Sequence, residues 1–152
     1  MPYGIAREDL EPGILTPGKL GNELQRFSKV INVGDIAADS DLIVIPLFKP
    51  PYAITIKRIL IGFDTAITKA DTNYQKYNVT DGTNIIATVS TGPNSAAGTS
   101  FVVGVFQELT LVATYVAIAA TETITLSFVK TGSGMIASNC CIQIDYTIDD
   151  PA

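Results

Sequence analysis

The chain has no histidine and no tryptophan in its 152 residues. Without histidine it lacks the usual base at neutral pH, the commonest metal ligand and the third member of serine or cysteine triads. Without tryptophan it lacks the largest aromatic platform for a sugar ring, and its six tyrosines are dispersed along the chain. Charge is scarce, at 16% of residues against about 25% in an average soluble domain. Ten basic residues face fifteen acidic ones, for a net charge of −5. The deficit lies wholly in residues 31–152, so the folded part is not expected to bind nucleic acid, whose phosphates demand clustered Lys and Arg. Long hydrophobic runs are missing too. Leu111–Ala120 contains Thr114 and Tyr115, well short of the roughly 20 apolar residues that cross a bilayer. Met1–Leu20 has no basic start followed by an apolar block, so no secretory signal is read there.

There are two cysteines, and they are neighbours, Cys140 and Cys141. On a strand they point to opposite faces, which makes them poor partners for each other. They are expected to be reduced, packed thiols of a protein made in a reducing cytoplasm.

What is abundant is apolar surface. Hydrophobic residues make up 47% of the chain and the mean hydropathy is +0.31. One core of this size is not expected to absorb that much, which favours an oligomer or docking on a large partner. The first 26 residues differ from the rest. Pro2, Gly4, Pro12, Gly13, Pro17, Gly18 and Gly21 break any regular element there. Residues 1–26 therefore read as an extended N-terminal arm and 27–152 as a single β domain. The arm carries apolar side chains that need a surface to cover them: Tyr3, Ile5, Leu10, Ile14, Leu15, Leu20, Leu24 and Phe27. These are the candidate partner-binding residues. Leu20, Leu24, Phe27 and Ile31 fall at helical spacing, which allows a short helix near 21–28; the same stretch could instead lead into a strand at Lys29–Val33.

Strand signals fill the remainder. Cys140, Ile142, Ile144, Tyr146 and Ile148 alternate with Cys141, Gln143, Asp145 and Thr147. Ile124, Leu126 and Phe128 alternate with Thr123, Thr125 and Ser127, and Thr131–Gly134 supplies a turn. Tyr77 and Val79 precede the turn Asp81-Gly82-Thr83-Asn84, after which Ile85, Ala87 and Val89 resume the pattern, a hairpin signature. In Ala53–Phe63 the apolar parity switches between Ile56 and Ile59, which predicts a β-bulge near Lys57–Arg58. Pro46 predicts that Leu42–Phe48 is an edge strand or strand end. Residues 95–119 are expected to give short strands near Phe101–Phe106, Leu109–Val112 and Tyr115–Ala119. The total is about eight strands, an antiparallel jelly-roll-like sandwich or barrel.

Chemistry-bearing motifs are thin. A carboxylate pair could hydrolyse a glycoside, with Asp64, Asp71, Asp81, Glu108, Glu122 and Asp145 as candidates, but most sit in turn-like positions. Asp35, Asp39 and Asp41 offer oxygens without the glycine and terminal glutamate of an EF-hand loop. The glycine-rich stretches lack the lysine of a phosphate loop. Asn78-Val79-Thr80 matches a glycosylation sequon but falls within a strand. No enzyme, metal or cofactor is expected.

Ala66-Ile67-Thr68-Lys69-Ala70-Asp71-Thr72-Asn73-Tyr74, then Tyr77–Thr83, Ala120–Gly134 and the closing Cys140–Ile148 stand in an order that resembles the small jelly-roll decoration, or cement, proteins of tailed-bacteriophage heads. The resemblance covers residues 40–148 and has no catalytic signature. It implies a homotrimer on the exterior of the virion, at the local and quasi three-fold positions of an icosahedral head. There it would clamp neighbouring major capsid proteins, with the arm docked on an adjacent subunit. It assigns no shell-contacting residue. A competing reading is a head-fibre or tail-associated β-sandwich that binds a host glycan or receptor.

Overall fold

A computed structural model describes residues 26–37, 43–92 and 98–149. Among these residues ten strands form: β1 (Arg26–Ile36), β2 (Ile43–Phe48), β3 (Ile54–Gly62), β4 (Tyr74–Thr80), β5 (Ile85–Ser90), β6 (Gln107–Glu108), β7 (Thr110–Leu111), β8 (Ala117–Ile118), β9 (Ile124–Thr131) and β10 (Ala137–Ile148). They make two antiparallel sheets. The first has the order β1-β10-β3-β6, with β8 also on β3; the second has the order β2-β9-β4-β5-β7. Successive strands repeatedly change sheet, the jelly-roll-like sandwich that the alternating segments predict. No α-helix forms among the described residues.

The alternation in β10 and β9 sets the core. Cys140, Ile142 and Ile144 face Ile124, Leu126 and Phe128 across the sandwich, all fully buried. β3 contributes Ile54 and Ile56 and then, after a parity switch, Ile59 and Ile61. The switch is the predicted bulge. Asp145 of β10 pairs with Arg58 and Tyr146 with Ile56, so Lys57 is the extra residue. Pro46 stands on β2, which pairs only with β9 and forms the sheet edge, as its missing N–H requires.

Several expectations are corrected. Arg26–Ser28, the described end of the expected helix, are strand, because Phe27, Ile31 and Val33 alternate along the β10 ladder. Leu20, Leu24 and the rest of that stretch lie outside the described residues. In β5 the buried side chain is Ile86, not Ile85. A bulge between the pairs Val79↔Ala87 and Thr80↔Ile85 shifts the phase by one. The segment before β8 breaks up more than expected. Phe101 makes one isolated bridge to Ile67, and Val102–Phe106 is a turn rather than a strand. Gly104 causes this: its φ is +69°, and its N–H donates to the Phe63 carbonyl. Of the expected strand at Leu109–Val112 only Thr110–Leu111 forms, as β7 in the second sheet, while β6, just before it, joins the first. Leu109 is the buried pivot between them, held by its N–H to the Ile59 carbonyl. Tyr115 ends a 3-10 turn, Ala113–Tyr115, and only Ala117–Ile118 is strand.

The cysteines behave as their positions dictate. Both are free; Cys140 is buried in the core and Cys141 is half-buried on the opposite face. Burial, with a smaller contribution from the neighbouring Cys141 charge, pushes the Cys140 thiol up to about 12. At pH 8 a disulfide reagent should label Cys141 alone in the native protein, and Cys140 only once denaturant unfolds it. Two thiols labelled at equal rates would contradict the packing.

Candidate docking surfaces

Two surfaces stand out. The first is an open groove of about 620 Å³ on the outer face of the first sheet, lined by β1, β3 and β10. Residues opposite each other in an antiparallel ladder share a face. Ser28, Asp145 and Arg58 therefore form one row across the sheet. Asp145 organises it. Its Oδ1 accepts from Ser28 Oγ at 2.8 Å and Gln143 Nε2 at 2.9 Å, and its Oδ2 from Arg58 Nε at 2.9 Å and Nη2 at 2.7 Å. The bulge exposes Lys57 and Arg58 side by side, where regular pleating would turn one of them inward. Arg26 completes the rim, while the next row, Phe27, Tyr146 and Ile56, turns to the inner face, where the Phe27 and Tyr146 rings stack at 5.7 Å and Tyr146 meets Phe48 of the second sheet.

Burial raises the Asp145 carboxyl, but hydrogen bonds from Gln143, Ser28 and Arg58, with the Arg58 charge, outweigh it and hold it below the ordinary range. Asp81 is lowered in the same manner. Burial opposes ionisation there, but the backbone N–H groups of Asn84 and Thr83 and the Asn84 side chain bind the carboxylate. Both groups stay ionised in the folded chain at a pH where the unfolded chain, with carboxyls near pKa ~4, takes up protons. Their stabilisation is thus complete above that range and lost as pH falls through the lowered folded values. The denaturant midpoint should hold steady from pH 7 to about 5 and fall below about 4. Asp145→Asn should lower the midpoint at pH 7 and shrink its acid dependence. An acid dependence unchanged in that variant would remove Asp145 from the account.

The second surface is apolar. Val102, Val103, Val105 and Phe106 are 63%, 54%, 52% and 41% exposed. Gly104 holds this turn against Phe63, and the next residue, Asp64, donates its N–H to the Ser138 carbonyl. Ile136, 64% exposed, is two residues from Ser138, so it belongs to the same end of the sandwich. Arg26 lies at the other end: β1 runs from the Arg26↔Thr147 pair to Ile36↔Ala137, about 33 Å at the usual rise.

The carboxylates weighed for hydrolysis are placed apart in the fold. Asp64 accepts from Asn139 Nδ2, Asp81 closes the β4–β5 turn, and Glu122 accepts the Ala119 N–H. Glu108 is exposed on β6 opposite Leu60, Asp71 lies in the loop before β4, and Asp145 is in the groove. Asp35 accepts the Asn139 N–H, while Asp39 and Asp41 are outside the described residues. No cluster of three metal-binding side chains occurs among the described residues, and no described helix is long and apolar enough to cross a membrane. Of the arm's candidate anchors, only Phe27 is described, on β1 with its ring on Tyr146. Tyr3, Ile5, Leu10, Ile14, Leu15, Leu20 and Leu24 lie outside the described residues. The sequence reading missed both surfaces. The doubled cation at the predicted bulge was the signal for the groove, and glycine inside an exposed Val-Val-Gly-Val-Phe run was the signal for the tip.

No family model matches the chain, and no curated protein matches it. A solved structure that it resembles is titled "Structure of infectious bursal disease virus Gx strain". The two are 11% identical, with a TM-score of 0.38, over 84% of this chain and 33% of that one. The chain thus spans about a third of the length of the chain it matches. A likeness of that strength bears on neither family nor function.

Proposed function

We propose that the chain is a structural virion protein that decorates and stabilises an icosahedral phage capsid. It binds as a homotrimer on the outside of the head and bridges neighbouring major capsid proteins, with the N-terminal arm docking on an adjacent subunit. The observation that carries this reading is the solvent-facing apolar tip, Val102–Phe106 with Ile136, mounted on a rigid sandwich. Contiguous exposed apolar side chains mark surfaces that another protein covers. The layout suits bridging. The tip is at one end of the sandwich and the arm joins at the other, and 25 residues span at most about 85 Å. Many weak contacts of this kind add by avidity on a symmetric lattice.

The experiment is a mass measurement in native solution, followed by mixing with expanded phage heads that lack the protein. A trimer that sediments with the heads supports the reading. A monomer that stays in the supernatant would sink it, and a reproducible hit on a glycan array would favour the receptor-binding alternative.

A further inference from the structure

The outer groove is a positive spot on an acidic chain. Arg26, Lys57 and Arg58 surround one carboxylate, Asp145, which is already bound twice by Arg58. The Arg58–Asp145 bridge spans 2.7 Å, and neither Arg26 nor Lys57 takes part in an ion pair among the described residues. Two cations therefore face the groove with no carboxylate paired to either among the described residues.

The complementary charge is in the same sequence. Residues 1–25 carry two basic residues against four acidic ones, three of the acids in the run Glu8-Asp9-Leu10-Glu11. We propose that in the unassembled protein this run occupies the groove of its own chain, its carboxylates on Arg26 and Lys57.

Three facts favour this occupant. The segment is tethered at the rim, because Arg26 is both its attachment point and a groove residue. The fifteen residues from Glu11 to Arg26 have a flexible-chain end-to-end distance of about 20 Å. The groove lies two strand spacings from β1 to β3, about 10 Å, so the tether reaches without strain. A short tether of matching length gives an effective concentration in the millimolar range, above that of any second copy at working dilution. Pro12-Gly13 and Pro17-Gly18 lie between the run and Arg26 and supply the turn residues for a reversal. The inference concerns the free chain and does not depend on the capsid reading.

The test uses the full chain, prepared as an equal mixture of light and heavy nitrogen isotopes and treated with a carbodiimide. This reagent joins a carboxylate to an amine only when they touch. Lys57 should be linked to Glu8, Asp9 or Glu11 in peptides of a single isotope. The yield should fall about fivefold or more in about 1 M salt, where screening acts within ~3 Å. It should fall likewise in Arg26→Glu and recover in Arg26→Glu combined with Glu11→Arg. Mixed-isotope pairs at about half the total would assign the groove to a second copy and overturn the proposal. Lys57 linked chiefly to other carboxylates, or a yield indifferent to salt in the unsubstituted chain, would also overturn it. Neither readout involves heads or native mass, so this inference and the capsid reading can fail separately.

Discussion

Replacing Tyr77 by alanine should cost about 3–5 kcal/mol, the usual loss for a large aromatic in a core. Tyr77 has no exposed surface, and its ring packs against Phe63 at 5.3 Å and edge-on to Phe101 at 6.0 Å. Phe63 meets Phe101 edge-on at 4.9 Å. This triad ties together β4 of the second sheet, the end of β3 in the first and the strand-less Phe101 loop. The hydroxyl matters separately: it donates to Gln75 Oε1 at 3.0 Å, and Gln75 Nε2 is buried without a partner among the described residues. Tyr77→Phe would strip that amide of its remaining side-chain bond and should cost about 1–3 kcal/mol. For a chain of this length, each kcal/mol moves the melting temperature by about 2–4 °C, so the alanine variant should melt roughly 6–20 °C lower. Calorimetry on both variants decides it. Equal losses would mean that the ring contributes little beyond its hydroxyl.

Val103→Asp should leave folding intact and abolish assembly. The side chain is 54% exposed in a turn, where substitutions usually change stability by less than about 0.5 kcal/mol. In a covered interface the same change buries a carboxylate with no partner, at a cost of several kcal/mol, or more than about a hundredfold in each contact. Avidity multiplies the loss, because every copy carries the defect. The measurement is native mass together with binding to expanded heads, with the melting temperature as the folding control. If the variant still forms the parent oligomer and still binds, the tip is not the covered surface. Val102→Thr, which keeps the shape and exchanges one methyl for a hydroxyl, should show a loss of the same sign and smaller size.

The strand pattern was legible where one face of a strand packs and the other is solvated. β10 and β9 follow from alternation, because burial on one side forces period two, and the β4–β5 hairpin follows from its turn residues although the phase of β5 does not. The bulge in β3 was legible for the same reason, since a parity switch inside one strand has one cheap solution. The edge position of β2 followed from Pro46, whose missing N–H is a property of the residue and not of its surroundings. Where the reading failed, the deciding contact was distant. Val102–Phe106 is apolar and valine-rich like a strand, but the Gly104 N–H binds Phe63 and turns it into a loop. Ile85 and Ile86 are equally apolar, and the bulge against β4 selects which is buried.

The amino-acid sequence by itself determined an antiparallel β sandwich with unpaired thiols, because alternation, turn chemistry and the spacing of two cysteines are local quantities. The tertiary structure alone decided where its surfaces lie. Arg58 and Asp145 are 87 residues apart along the chain, and the register of β3 on β10 brings them to 2.7 Å. Register is a cooperative outcome of the whole ladder, and no short window of residues contains it.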